Sequence, residues 1–151
     1  MRLARDLRPC QSAKGLAEHK GMSGSLNRLL VGALGARGTG FLGRRLCVLR
    51  YVGMVSGRTI TLVAQYAVSR EDAGHARELV IAVARPGTKT WWRNFRTGAP
   101  GEVLLQRRWH PVTLEVCSAP GETCPCRAVY RRAFPSVDRL EDLLFVHGAL
   151  S

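Results

Sequence analysis

Lys89–Thr97 reads KTWWRNFRT and holds two of the three tryptophans of a 151-residue chain. Trp91 and Phe95 stand four apart, as do Trp92 and Arg96, so one helical turn sets Trp91 and Phe95 on a common face. The rim of that turn then carries Trp92, Arg93 and Arg96, with Asn94 turned outward. Two readings follow. The turn plugs one end of a β core with its aromatic face, or it forms a wall of a site for a planar, anionic ligand. Arg85-Pro86-Gly87, just upstream, adds a cation directly after an apolar run.

That run, Leu79–Ala84 (LVIAVA), has the pattern of a strand covered on both faces. Before it, Cys47–Val52 alternates, Gly53–Gly57 reads as a turn, and Thr59–Val68 is rich in β-branched and aromatic residues. Ser69–Arg77 is a polar loop around Gly74. Beyond the tryptophans, Gly98–Gly101 precedes a strand over Glu102–Gln106. Arg107-Arg108 makes a tight turn, and Trp109–Cys117 carries Val112, Leu114 and Val116 in phase. Pro120-Gly121-Glu122 opens a helix through Phe134, ended by Pro135. Val137–Leu150 fits either a short helix to Leu144 or a last strand over Leu143–Val146. Five or six strands in hairpin rhythm, with one helical turn between them and one helix after them, predict a mainly β, α+β fold. The expected architecture is a small antiparallel β-barrel with flanking helices at its ends.

The chain carries 23 Lys and Arg against 11 Asp and Glu, a net charge of +12. Residues 1–50 hold ten basic and two acidic side chains, so most of the surplus sits at the N-terminus. Residues 1–24 are rich in Gly, Ser and cations with little periodicity and read as a basic, disordered extension. From residue 25 to 151 the chain reads as one domain that begins with an amphipathic helix. Leu26, Leu29, Leu30, Ala33 and Leu34 recur at helical spacing, and Ser25 stands at its N-cap. Residues 25–45 have two fates open to them, packing on the domain or lying on an anionic membrane surface. The charge attracts anions of any class, but cations without interleaved aromatics argue for no specific nucleic acid. No apolar run approaches the roughly 20 residues of a membrane-spanning helix, and no secretory leader is visible. The expectation is a cytoplasmic protein, with membrane association open.

Several chemistries find no support in the pattern. Cys10, Cys47, Cys117, Cys124 and Cys126 are odd in number and lie in apolar or loop contexts, which predicts reduced thiols rather than a disulfide framework. Cys124-Pro125-Cys126 with Cys117 lacks a second matching pair or a histidine nearby in sequence, so no metal site is predicted. His19, His75, His110 and His147 fall in separate segments. Glu71-Asp72 belongs to a solvated loop, Gly53–Gly57 misplaces its Ser for a nucleophile elbow, and no dinucleotide-binding glycine motif follows a strand.

One resemblance emerges from the ordered motifs. LRYVGMVSGR (Leu49–Arg58), RPGTKTWWRNF (Arg85–Phe95), Gly98-Ala-Pro100 and Ala133-Phe-Pro-Ser136 resemble, in order and spacing, the deazaflavin-dependent nitroreductase family. The resemblance spans about residues 25–150, and its most specific part is the tryptophan-asparagine core with the upstream cation. It implies a split β-barrel related to flavin-binding barrels, with the deazaflavin coenzyme F420 as cofactor and flavin mononucleotide (FMN) as the alternative. It also implies hydride transfer from the reduced coenzyme to a small organic acceptor, quinone-like or nitro-like. Carried onto this sequence, Ser56, Gly57, Arg58, Arg85 and Lys89 would meet the anionic part of the coenzyme, and Trp91 and Asn94 its ring system. The chain departs from the family's first turn. Met54 and Val55 replace an Arg-Lys pair, Thr59 a Pro and Ile60 an Arg, and the C-terminal tyrosines of many nitroreducing members are missing around Phe134–Leu144. The alternative is a non-catalytic split-barrel protein that binds a lipid, haem or flavin. No protein nucleophile is needed for the hydride chemistry, which belongs to the cofactor.

Overall fold

The computed structural model describes residues 28–29, 31–33, 44–70, 74–118 and 124–150. The expected extension over residues 1–24, most of the 25–45 stretch, Cys10 and Glu71-Asp72 lie outside these residues.

Six antiparallel strands form a closed barrel among the described residues: β1 (Leu46–Val52), β2 (Thr59–Val68), β3 (Arg77–Ala84), β4 (Ala99–Leu105), β5 (Arg108–Val116) and β6 (Leu143–Leu150). Their order around the barrel is β1-β2-β3-β6-β5-β4, with β4 returning to β1 through Tyr51↔Gly101 and Val48↔Leu104. Closure gives every strand a neighbour on both sides, though β2–β3 and β5–β6 pair over only a few residues.

Side-chain alternation puts Cys47, Leu49 and Tyr51 of β1 inside, with Leu79, Ile81 and Val83 of β3, Val103 and Leu105 of β4, and Val112 and Leu114 of β5. The continuous run on β3 is explained by its other face. Val80 points outward into a second apolar cluster with Ala67, Phe145, Tyr130 and Phe134. Most of that cover comes from α1 (Pro125–Ala133), which buries Cys126 and Tyr130 and opens with proline at its first position. The Tyr130 hydroxyl donates to Gln65 Oε1 at 2.8 Å, so its polar tip is satisfied at the edge of an apolar contact. The helix therefore lies on the wall of the barrel rather than at its end, because the outer faces of β2, β3 and β6 are themselves apolar. On the opposite wall, outward-facing Val48 and Leu104 pack with Val31, one of the helical residues 31–33.

Three boundaries differ from the sequence reading. The β4–β5 hairpin turns at Gln106-Arg107, one residue earlier than expected, with both residues at positive φ (45° and 71°) as a two-residue hairpin requires. Both alternatives for the C-terminus occur in succession, a 3-10 turn over Leu140–Asp142 and then β6, which runs to Leu150. β6 pairs with β3 along its whole length but with β5 only at Glu115↔His147 and Val116↔Val146. Just beyond that pairing the two backbones close in. A Cβ on Gly148 would meet the Thr113 carbonyl oxygen at 2.2 Å, so only glycine fits. No helix among the described residues is long and apolar enough to cross a membrane.

Candidate functional site

β1 and β3 both deliver their C-terminal ends to the same end of the barrel, which brings the Gly53–Arg58 loop and the segment Arg85–Gly98 together. Neither stretch contains a carboxylate, and between them they carry Arg58, Arg85, Lys89, Arg93 and Arg96. Phe95 is fully buried, with its ring 5.1 Å from Tyr51 and 6.2 Å from Trp91. Complete burial of such a ring contributes roughly 2–3 kcal/mol. The helical turn is a 3-10 turn over Trp91–Phe95, and Trp91 and Trp92 pack against the barrel interior. The aromatic face is thus a plug, as the first reading of the turn held.

The polar groups of the turn do something the spacing did not reveal. Asn94 Oδ1 accepts from the Met54 amide at 2.7 Å, and Asn94 Nδ2 donates to the Trp91 carbonyl at 2.8 Å. Asn94 therefore clamps the β1–β2 loop to the tryptophan turn instead of pointing outward. Trp92 Nε1 donates to the carbonyls of Lys89 (2.7 Å) and Pro86 (3.1 Å), stapling the segment before it. Over its ring sit the guanidinium groups of Arg96 (5.0 Å) and Arg93 (5.6 Å).

The β1–β2 loop is closed by Gly53 N–H to Arg58 O (2.9 Å) and Gly57 N–H to Gly53 O (2.8 Å), with Gly57 at φ +64°. Ser56 Oγ accepts from the Arg58 amide at 3.3 Å. The amides of Gly53, Met54, Gly57 and Arg58 are thereby engaged internally. Met54 and Val55 are 71% and 92% exposed, an apolar tip in the middle of a cationic surface.

Arg85 holds a left-handed backbone (φ 51°, ψ 60°), and its carbonyl accepts from both the amide and the hydroxyl of Thr88 at 3.0 Å. A non-glycine residue there costs on the order of 1 kcal/mol or more. Burial first, and the Arg85 charge second, hold the Lys89 ammonium below its ordinary pKa of 10.5. Two cations are therefore close enough to repel each other at this end of the barrel. An anion bound between them relieves that repulsion.

The structure thus brings Ser56, Gly57 and Arg58 into one surface with Trp91 and Asn94, and sets Arg85 beside Lys89. None of these residues lines the groove at the other end of the barrel. That open groove of about 1050 Å³ lies among Arg44, Tyr66, His75, Arg77, Arg108 and His110.

Two expectations about cysteine are corrected. Cys117, directly after β5, and Cys124, directly before α1, form a disulfide with their Cα atoms 6.7 Å apart. The two cysteines stand seven residues apart in sequence. A histidine is also near, though not in sequence. His147 on β6 lies beside Cys117 and Cys126, and the donor atoms of the three fall within 4.8 Å of one another. His147 Nδ1 is hydrogen-bonded to Glu78 Oε1 of β3. Sequence spacing hides this group because its members come from three strands and a helix. The free thiols of Cys47 and Cys126 are both buried, and burial pushes each up to about 12, with Glu78 and Glu115 adding to the rise at Cys126.

Comparison of the chain with protein-family models and with curated proteins finds no match to either.

Proposed function

We propose that the chain is a deazaflavin-dependent reductase that carries hydride from reduced coenzyme F420 to a small quinone-like or nitro-like acceptor. The observation that carries the reading is the Asn94 clamp. It joins the two motifs on which the family resemblance rests, 53–58 and 85–95, into one carboxylate-free cationic surface. The residues fit an anionic ligand. Arg58, Arg85 and Lys89 would hold its phosphate and carboxylate groups, with Ser56 and Gly57 beside them in the same loop. Trp91 and Phe95 would exclude water from one side of the ring system, and Asn94 acts as a positioning residue because its amide is engaged by the fold. The coenzyme supplies the hydride chemistry when bound, so the protein contributes orientation, charge and dryness.

A second reading is a non-catalytic barrel that binds a lipid, haem or flavin. The exposed Met54-Val55 tip, where the family carries cations, and the cationic groove at the far end both favour it. Titration with oxidised F420, followed by tryptophan fluorescence and run beside FMN, separates the two. The reductase reading expects saturable quenching that weakens about 10-fold or more in Arg85→Ala and is untouched by Arg108→Ala. Reduced coenzyme should then be consumed with a naphthoquinone or nitroaromatic acceptor. Quenching lost in Arg108→Ala but kept in Arg85→Ala moves the site to the groove. No binding at high micromolar coenzyme overturns the reductase reading.

A further inference from the structure

On the wall of the barrel, away from the cationic end, we propose a redox-gated site for a soft divalent cation of the zinc class. Its ligands are Cys117, Cys124, Cys126 and His147. The donor atoms of Cys117, Cys126 and His147 already lie within 4.8 Å of one another. Tetrahedral coordination with zinc–sulfur bonds of about 2.3 Å and zinc–nitrogen bonds of about 2.0 Å puts ligand atoms roughly 3.5–3.8 Å apart. Those three donor atoms need at most about an ångström of contraction, and Cys124, outside their group, must swing in once it is freed. Cys124 supplies the fourth ligand, because its sulfur is bonded to that of Cys117 and so sits at the edge of the same group. Two thiolates alone would leave the set ambiguous; three thiolates and an imidazole make a closed structural zinc set.

The surroundings suit the role. Glu78 engages His147 Nδ1, which leaves Nε2 as the nitrogen that binds, in the carboxylate–histidine–metal arrangement that fixes ring orientation. Glu115 Oε1 lies 3.6 Å from Nε2, beyond a hydrogen bond and close enough to offset metal charge. A cavity of about 560 Å³ bordered by Glu78, Glu115, Cys117, Cys126 and His147 gives a path from solvent. The ligands also lie where a cross-link matters. Cys117 ends β5, Cys124 and Cys126 start α1, and His147 stands on β6. A metal ion would tie the start of the helix to the end of β5 and to β6.

The disulfide is the gate. With Cys117 and Cys124 oxidised, two of four ligands are withdrawn and the metal is excluded. A cellular dithiol reduces the bond by exchange: its two thiol protons and two electrons pass to Cys117 and Cys124, and the dithiol leaves as a cyclic disulfide. The cation then replaces the protons of three thiols, which go to solvent. Re-oxidation by a peroxide runs the other way. Two thiolate sulfurs join, the peroxide is reduced to water with two protons, and the metal departs.

The test uses the full chain in two states, untreated and reduced with dithiothreitol then desalted without oxygen. Cobalt(II) is the optical probe and zinc the competitor. Reduced protein should take up one equivalent of cobalt with a near-ultraviolet thiolate-to-cobalt charge-transfer band and intense tetrahedral visible bands, bleached by zinc. Untreated protein should show neither. His147→Asn and Cys126→Ser should each weaken zinc at least about 10-fold, and Glu78→Gln about 10-fold. Because Cys126→Ser removes a buried group, alkylation with mass spectrometry on the unaltered chain gives a second measurement. Zinc should slow alkylation of Cys117 and Cys124 relative to the metal-free reduced chain. The absence of a charge-transfer band in reduced protein overturns the proposal, as does alkylation of Cys117 and Cys124 that zinc leaves unchanged, or visible cobalt bands and zinc affinity that are the same in His147→Asn.

Discussion

The cationic end of the barrel and the thiol–imidazole wall are both groups of chemically capable side chains, and they are built in opposite ways. At the cationic end nearly every member comes from two short stretches, 53–58 and 85–98. Tertiary structure adds mainly the clamp from Asn94 to Met54. On the wall, Glu78, Cys117, Cys126 and His147 come from β3, the end of β5, α1 and β6, and the register Glu115↔His147↔Val80 brings them together. The first site is written in local sequence and the second in strand pairing. Substitutions should therefore damage them differently.

The largest effect is expected where strand pairing is tightest. Gly148→Ala forces a Cβ to 2.2 Å from the Thr113 carbonyl oxygen, a backbone atom that cannot swing aside, and to 2.9 Å from a Val112 methyl. A loss of about 3 kcal/mol in a urea titration is expected, with the wall distorted and the cationic end retained. A loss under about 1 kcal/mol would mean that β5 and β6 are not locked there.

Next comes the clamp. Asn94→Ala leaves the Met54 amide and the Trp91 carbonyl without their partner, at a cost of about 1–2 kcal/mol because both lie near solvent. It removes no charge, so any fall in coenzyme affinity reports loop position alone. Unchanged affinity would show that the loop does not need holding.

Arg85→Gly should move stability and binding in opposite directions. Glycine adopts φ 51° without penalty, so relief of strain should raise stability by up to about 1 kcal/mol even as glycine loosens the unfolded chain. Coenzyme affinity should fall about 10-fold with the loss of the guanidinium. A variant that is less stable would show that Arg85 is held there by contacts other than those of its carbonyl.

The smallest effect concerns pH. The folded-state pKa of Lys89 lies below 10.5, so the unfolded chain binds more protons in the interval between the two values. Stability from this group therefore rises as pH climbs through that interval toward 10.5, and Lys89→Met removes the rise. The half-exposed position and solvent screening keep it well below about 1 kcal/mol. Coenzyme that binds between Lys89 and Arg85 should raise the Lys89 pKa and flatten the same profile.

Strand alternation and the apolar run on β3 were legible because a two-faced buried strand has no other pattern; the helix expected from Pro120 through Phe134 is observed over Pro125–Ala133, ended before Pro135 as expected. The plug at Trp91–Phe95 was legible for the same reason. The clamp made by Asn94 was not, because its amide finds backbone partners that only the folded loop supplies. The position of α1 on the wall was also hidden, since it depends on which strand faces stay apolar after the barrel closes.

By itself the sequence determined the strand set, the aromatic plug and the excess of cations around it, all properties of neighbouring residues and their periodicity. Only the tertiary structure decided that Cys117 meets Cys124, that His147 stands beside both Cys117 and Cys126, and that Asn94 ties two loops together. The physical reason is register. Closing six strands fixes which residues face one another across 20 to 70 positions of chain, and that pairing is a property of the whole barrel rather than of any segment.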